Sequence, residues 1–118
     1  MPTREQVRAQ IAHTRVAAHH KPEEEMRKHE ADYKRFCQRF PALIQTCGLA
    51  QAIAFAEAKG QEGFLEDLAC VVGDCNAKTL ATHAREFGLS QYQKLSRDTM
   101  KAATWLKRYA EALLEGGK

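Results

Sequence analysis

The sequence has no run of about 18 apolar residues, so it lacks a segment that could cross a membrane as a helix. The opening stretch MPTREQVRAQ has no apolar core of the kind found in secretory signals, so we expect a cytoplasmic protein with no membrane partner. Neither a Walker loop nor a G-x-G-x-x-G motif occurs. These absences exclude the common nucleotide-binding enzymes and indicate a protein that needs no cofactor.

Metal-binding and catalytic patterns are also scarce. Only one of the cysteine spacings, Cys70 to Cys75, is short, and no second pair completes a zinc site, so we expect free buried thiols and no metal. Adjacent His19 and His20 lack the i, i+4 spacing of helical metal ligands. Neighbouring carboxylates at positions 66 and 67 point about 100° apart on a helix, which predicts solvated surface and not an acid/base pair.

What the sequence does contain is helical punctuation, with no Asn-Gly or Asp-Gly hairpin signal. Thr3 and Gln6 form a capping-box pattern, Pro22 suits a first helical position, and Pro41 predicts a kink or a restart. Glycines at 48, 73 and 88 suit helix ends, Asn76 suits a cap, and Ser90 or Ser96 is expected to begin the last helix. We therefore predict an all-α fold, a single compact bundle of about six helices over residues 1–118, with long N-terminal helices and a long C-terminal helix.

Apolar spacing predicts which side of each helix is buried. In the first helix Val7, Ile11 and Ala18 are expected to point inward. The segment 49–60 is apolar on nearly all sides, which predicts a helix in the middle of the fold. In the last helix Met100, Ala103 and Leu106 are expected to lead the buried stripe.

Basic residues concentrate toward the C-terminal end. Residues 1–75 carry ten Lys/Arg and eleven Asp/Glu, whereas residues 76–118 carry eight and four. On one helix, Lys94, Arg97, Lys101 and Arg108 share a stripe, with Lys107 one position around and Thr104 able to donate to a phosphate. Such rows suit a nucleic-acid backbone, because each neutralised phosphate releases a counterion. A solvated helix face with ordinary solubility charge is the alternative.

Two further rows are weaker. Arg4, Arg8 and Arg15 repeat along the first helix, and Lys28, Arg35 and Arg39 repeat along the second. Arg35 and Arg39 come just before Pro41, where a kink could bring them near another basic row. The predicted nucleic-acid-binding residues are Lys94, Arg97, Lys101, Lys107, Arg108, Arg35, Arg39 and Arg15. Tyr92, Trp105 and Tyr109 could stack on bases, although core packing or a protein interface is the stronger expectation.

Two blocks of sequence carry a family resemblance. The segment F-P-A-L-I-Q-T-C-G-L-A-Q-A-I-A-F at 40–55 resembles the P-x-L-I-x-x-x-G-L-x-Q-A-[LI]-A-F core of the small-subunit family of type III-B CRISPR RNA-guided effector complexes, the Cmr complexes. Tyr92, L-S-R-D-T-M at 95–100 and W-L-K-R-Y-A-E-A-L-L at 105–114 are similar to the closing helix of that family. Cys47 departs from the polar residue expected before Gly48, a change that concerns the helix end.

The resemblance implies a non-catalytic, all-helical subunit used in antiviral defence. Copies of such subunits stack in the inner filament of the complex, beside backbone subunits that hold guide RNA and a large subunit that carries signalling chemistry. They contact target RNA and the guide–target duplex largely through basic surface. The implied partners are therefore these effector subunits, further copies of the chain, guide RNA and target RNA.

Three alternatives stay open at this point. A type III-A small subunit is also small, helical and basic. A helix-turn-helix DNA-binding regulator could use the pair of helices around Gly73–Gly88, although its second helix offers only Lys78 and Arg85 to base edges. A small enzyme could pair His83 with a cysteine as base and nucleophile.

Overall fold

A computed structural model describes residues 2–20, 27–73 and 76–114, and within those ranges it contains helices and no strand. The helices are α1 (Arg4–Ala17), α2 (Arg27–Cys47), α3 (Leu49–Ala58), α4 (Glu62–Val72), α5 (Ala77–Glu86) and α6 (Leu89–Leu113). The all-α prediction, its six helices and its long closing helix of 25 residues are confirmed. The expectation for Pro22 lies outside the described residues.

Several helix ends form where local chemistry predicts them. The side chains and backbones of Thr3 and Gln6 make the reciprocal hydrogen bonds of a capping box at α1. Asn76 accepts a hydrogen bond from the backbone N–H of Thr79, 2.9 Å away, and so caps α5. Gly48, with φ of 87° and ψ of 161°, separates α2 from α3 in a conformation that is essentially restricted to glycine. Gly73 ends α4 in a left-handed conformation.

Two boundary predictions need correction. No new helix begins after Pro41, because α2 continues through it from Arg27 to Cys47. Phe40 and Ile44, on either side of the proline, are both buried on the same face, and their packing stabilises a continuous helix that lacks one backbone donor. The last helix begins at Leu89, after Gly88, and not at Ser90 or Ser96.

The buried side of α1 also differs from expectation. Arg8, Ala12 and Val16 face the core, whereas Val7 is 39% exposed and Ala18 lies on the surface. Buried Arg8 donates hydrogen bonds to Glu5 on its own helix and to Asp98 on α6. A charged residue therefore occupies the buried position that hydrophobicity predicts for Val7.

Helix α3 is not central. It buries one face through Leu49, Ala52, Ile53 and Ala56, while Gln51, Ala54 and Ala58 are exposed. The centre belongs instead to α2, α4 and α6, whose fully buried side chains include Phe40, Phe64, Leu68 and Leu106. Helix α6 packs against α1, α2 and α4, leaving its outer side free of these neighbours.

Candidate nucleic-acid interface

The 25 residues of α6 divide by side into a buried face and a basic face. Leu95, Thr99, Ala102, Ala103, Leu106 and Ala110 are buried. At 100° per residue these positions point in one general direction, and the basic stripe points in the opposite one. Of the expected inward residues, Ala103 and Leu106 are fully buried and Met100 is half-buried.

The basic stripe consists of Lys94, Arg97, Lys101 and Arg108, and all four side chains are exposed. None of them forms an ion pair with any residue in the described ranges. Lys101 makes a longer-range electrostatic interaction with Glu5. The stripe therefore presents four cations to solvent on one helix, an arrangement that suits contact with a polyanion.

Two residues beside the stripe have other environments. Lys107 lies one position around the helix and is half-buried. Thr104 does not hold a free donor, because its hydroxyl donates to the backbone carbonyl of Met100, 2.9 Å away. This hydrogen bond is common for threonine within helices. A phosphate would therefore have to displace the Met100 carbonyl to accept the hydrogen bond that the sequence predicted from Thr104.

The arginine row on α1 is not a continuous surface. Arg8 is buried and donates to Glu5 at 2.7 Å and to Asp98 at 3.2 Å. Arg15 has a side chain that is 42% exposed, and its Nε donates to Asp67 at 2.7 Å. This hydrogen bond raises the pKa of Arg15. Arg8 and Arg15 therefore tie α1 to α6 and α4, and Arg4 is the exposed member of this row.

Asp67 is a buried polar hub, which corrects the prediction of solvated surface at positions 66 and 67. Its side chain is 3% exposed, and its carboxylate accepts hydrogen bonds from Arg15, from His19 Nε2 at 2.8 Å and from the Tyr33 hydroxyl. Burial raises the pKa of Tyr33, which keeps the hydroxyl protonated as a donor. The neighbouring Glu66 accepts from the backbone N–H of Ala77 at 3.0 Å and so caps α5. Both carboxylates are structural.

A second basic surface lies between α2 and α3. Arg35, Arg39 and Lys59 line an open depression of about 250 Å³ together with Asp32, Phe36, Phe55 and Gln61. Arg35 is paired with Asp32, and the Lys59 ammonium lies 5.6 Å from the centre of the Phe55 ring. The sequence reasoning missed Lys59, although its i, i+4 spacing from Phe55 was a usable signal.

This second surface is separate from the stripe on α6. Contacts from α2 toward the end of α6 are made by Lys34, which donates to the carbonyl of Leu114, and by Gln38, which donates to Glu111. Arg35 and Arg39 instead lie beside Phe55 and Lys59 at α3. Pro41 therefore does not bring Arg35 and Arg39 to the basic row of α6, and they lie beside Lys59 instead.

The three aromatic candidates pack within the fold. The hydroxyl of Tyr92 accepts a hydrogen bond from the N–H of Ala50. Trp105 donates from Nε1 to Glu5 at 2.5 Å and stacks with Tyr109 at 5.8 Å between ring centroids. His13 meets the edge of Tyr109 at 5.2 Å. All three aromatics are half-buried, so their packing explains their positions without a bound base.

The thiols have unlike surroundings. Cys37 is buried, and burial raises the pKa of its thiol, as a structural cysteine requires. Cys70 is half-buried and Cys47 is exposed, so the prediction of buried thiols fails at Cys47. Cys75 lies outside the described residues. The part of the chain that the structure describes has no group of three or more His, Cys, Asp or Glu side chains placed to hold a metal ion.

No helix within the described ranges is both long enough and apolar enough to span a membrane. The class of protein follows from the sequence that builds this fold: residues 4–113 match the family described as CRISPR-associated protein (Cas_Cmr5). The chain therefore belongs to the Cmr5 family, as the two sequence blocks at 40–55 and 92–114 predicted.

Two comparisons, one of sequence and one of structure, with Cmr5 proteins from Thermus thermophilus agree with this assignment. The chain is 39% identical to the CRISPR system Cmr subunit Cmr5 over 118 residues, which cover 98% of this chain and 99% of that protein. It also superimposes on the crystal structure of a CRISPR-associated Cmr5 family protein with a TM-score of 0.86 and 38% identity, covering 97% of this chain and 100% of that one. The likeness therefore extends over the whole fold.

Proposed function

We propose that this chain is the non-catalytic small subunit of a type III-B CRISPR effector complex and that it binds target RNA and the guide–target duplex in the cytoplasm. The observation that carries the proposal is the stripe of Lys94, Arg97, Lys101 and Arg108, exposed opposite the buried face of α6 and unpaired within the described residues. Membership of the Cmr5 family supports the assignment to such a complex.

The structural roles of Glu66 and Asp67 on α4 support the non-catalytic part of the proposal. Asp67 is occupied by three donors, and Glu66 caps α5, so neither carboxylate is free for acid/base chemistry. His83 stacks on Phe87 at 4.4 Å between ring centroids, which gives it a packing role. In this proposal, target cleavage and signalling belong to the backbone and large subunits, and this chain supplies contact surface.

The mechanism is electrostatic. The four stripe cations lie on about four turns of one helix and would neutralise successive phosphates, releasing condensed counterions. For a single strand, each phosphate contact contributes about −0.7 to the slope of log K against log salt. One subunit offers only the four stripe cations, so its own affinity for RNA is low. Copies stacked along a filament bind the same strand together, and the raised effective concentration increases the total affinity. Arg35, Arg39 and Lys59 form a second basic surface that can contact phosphates, and Lys107 lies at the edge of the stripe.

The test uses the assembled complex with guide RNA and labelled target RNA. Replacing Arg97, Lys101 and Arg108 with Glu should lower target affinity by at least tenfold and reduce the magnitude of the salt slope, because three phosphate contacts per copy become repulsive. Replacing Lys78 and Arg85 with Glu on α5 is the matched control and should change neither quantity.

The two variants separate the competing functions. Unchanged target capture by the stripe variant would overturn the electrostatic assignment to α6. A DNA-binding regulator would reverse the pattern, with specific duplex binding by the isolated chain that depends on Lys78 and Arg85. A catalytic activity of the isolated chain that disappears when His83 and the cysteines are replaced would instead support the alternative of a small enzyme.

A further inference from the structure

A groove runs along the surface between α2 and α3, the two helices that meet at Gly48. Two depressions form it, and Phe55 lines both of them. Its walls are two rows of side chains spaced four residues apart, and that spacing places each row on one side of its helix. The rows, which define what we name the α2–α3 groove, are Arg35, Arg39, Leu43 and Cys47 on α2, and Gln51, Phe55 and Lys59 on α3.

The two ends of the α2–α3 groove differ in chemistry. One end is the basic depression of about 250 Å³ described above, where Arg35, Arg39 and Lys59 lie. The other end is an apolar depression of about 390 Å³, a volume within the range of small-molecule sites. It is lined by Leu43, Cys47, Gln51, Ala52, Ala54 and Phe55. Because Phe55 borders both depressions, a ligand in one can reach the other.

Positive charge at the basic end is not fully compensated. Arg39 and Lys59 are exposed and form no ion pair within the described ranges. Arg35 is already paired with Asp32. At the apolar end, the exposed amide of Gln51 makes no hydrogen bond to a described residue. A ligand of this groove therefore joins a negative group to an apolar group that also has a hydrogen-bonding edge.

A nucleotide with an unpaired base has this composition, because each base, with its apolar faces and polar edge, is joined to a phosphate. Proteins that bind single strands combine cationic grooves with aromatic rings in the same way. A base within a duplex is stacked and paired, so only an unpaired nucleotide can enter the apolar depression. An amphipathic peptide helix would need anchoring pockets at successive i, i+3 or i+4 positions, and this groove offers one. A second copy that used the same face would bring two more uncompensated positive charges to the contact, so the basic end would stay without a counter-charge.

We propose that the α2–α3 groove binds an unpaired nucleotide of single-stranded RNA. Arg39 and Lys59 hold the phosphate. The base lies in the apolar depression against Phe55, with its edge at Gln51. In the free chain the Lys59 ammonium lies 5.6 Å from the centre of the Phe55 ring, and on binding it turns to the phosphate and leaves the ring to the base. This inference rests on the proposed function, because RNA is the ligand there, and it adds contact with a base to the phosphate contacts of α6.

The first experiment compares two single-stranded RNAs of about ten nucleotides, one intact and one with abasic residues, by fluorescence anisotropy with the isolated chain at low salt. The wild type should bind the intact RNA at least about fivefold more tightly, as expected for one stacked base. Phe55→Leu keeps an apolar side chain without a ring and should bind both RNAs equally. Phe87→Leu is the matched control and should keep the difference, since Phe87 is also half-buried but does not line the groove. No difference in the wild type, or a difference that persists in Phe55→Leu, overturns the proposal.

The second experiment needs no substitution, because Cys47 lines the apolar end and is exposed. Mass spectrometry of the peptide that contains Cys47 follows its labelling by N-ethylmaleimide, with free glutathione in the same reaction as the reference. Single-stranded RNA at about ten times its dissociation constant should slow this labelling about tenfold, because the groove is then mostly occupied. An RNA duplex or polyglutamate should protect Cys47 much less, and the absence of protection by single-stranded RNA overturns the proposal.

Three other results of the labelling experiment identify a different occupant, and each overturns the proposal. Equal protection of Cys47 by the duplex shows contact with phosphates and not with a base. Equal protection by polyglutamate shows that an acidic peptide fits the groove as well as RNA. Protection that rises with protein concentration in the absence of RNA shows that a second copy of the chain covers it.

The outcomes also separate this inference from the proposed function. Loss of target capture by the stripe variant, together with equal binding of intact and abasic RNA by the wild type, overturns the groove alone. Unaffected capture by the stripe variant, with a base preference that disappears in Phe55→Leu, overturns the α6 contact alone. Unaffected capture with no base preference overturns both.

Discussion

The hydroxyl oxygen of Tyr92 on α6 lies 3.1 Å from the backbone nitrogen of Ala50 on α3 and accepts its hydrogen bond. Ala50 is in the first turn of α3, where N–H groups have no partner within the helix. Gly48, at the N-cap, has no side chain that could accept. Tyr92 therefore caps α3 from a position 42 residues along the chain.

Removing this hydroxyl should destabilise the fold. Tyr92→Phe keeps the ring and leaves the Ala50 N–H without its acceptor, so we expect a loss of about 1 kcal/mol in the free energy of unfolding. Urea denaturation measures the change. Tyr109→Phe is the control, since the hydroxyl of Tyr109 makes no hydrogen bond to a described residue, and should alter stability by less than about 0.5 kcal/mol. Equal effects of the two substitutions would contradict the capping role.

The hydroxyl of Thr99 should lower the free energy of unfolding. It is fully buried and finds no hydrogen-bond partner among the described residues. Thr99→Val has the same shape without the polar atom, so it should raise the unfolding free energy by about 1–2 kcal/mol. Thr104→Val on the same helix is the matched comparison, because the Thr104 hydroxyl has a partner in the Met100 carbonyl and should give no such gain. Thermal denaturation of both variants distinguishes them.

The hub at Asp67 should be among the most sensitive positions in the chain. Asp67→Ala leaves the buried Tyr33 hydroxyl, His19 and Arg15 without a shared acceptor, and we expect a loss of about 3–5 kcal/mol. Asp32→Ala removes an exposed ion pair with Arg35 and should cost at most about 1 kcal/mol. Guanidinium unfolding curves compare the two. A small effect at Asp67 would show that water replaces the carboxylate easily.

Acid stability should depend on Glu5. Its hydrogen bond from Trp105, with a further contribution from Arg8, lowers the pKa of Glu5 below its ordinary value. A lowered folded-state pKa stabilises the fold above the unfolded pKa, about 4.3, and this contribution is lost as pH falls through the folded value. The wild type should therefore lose more stability than Glu5→Gln as pH falls from about 5 toward about 3.

An NMR titration of Glu5 provides the direct measurement. Trp105→Phe removes the indole donor and should move the pKa of Glu5 back toward its ordinary value. If the titration midpoint stays the same in that variant, the hydrogen bond is not the cause of the shift.

Local chemistry was enough to predict many helix ends. Thr3, Gly48, Gly73 and Asn76 act through their own conformations and nearest neighbours, so their roles can be derived without the fold. The stripe of basic residues on α6 could also be predicted without the fold, because the period of a helix determines which of its residues share a side. The RNA contact itself stays a prediction.

Contacts between distant residues could not be predicted in this way. Arg8 is buried because Asp98, 90 residues later, accepts its hydrogen bond. Arg8 therefore takes the inward position on α1, and Val7, which was expected there, is exposed. Asp67 is buried because Arg15 and Tyr33 come from two other helices. Lys59 joins Arg35 and Arg39 only after α2 and α3 pack. In each case a charged side chain takes a position that hydrophobicity alone does not assign.

The division of α6 by side has a consequence for divergence within the family. Exchanging a cation on the outer face disturbs no packed atom, whereas exchanging Ala103 or Leu106 alters the interior directly. Relatives can therefore change their affinity for a polyanion one residue at a time without altering the packed interior. Aligned sequences should keep a net positive charge along one edge of this helix while the positions of the cations vary, and should show narrow choices of size along the other.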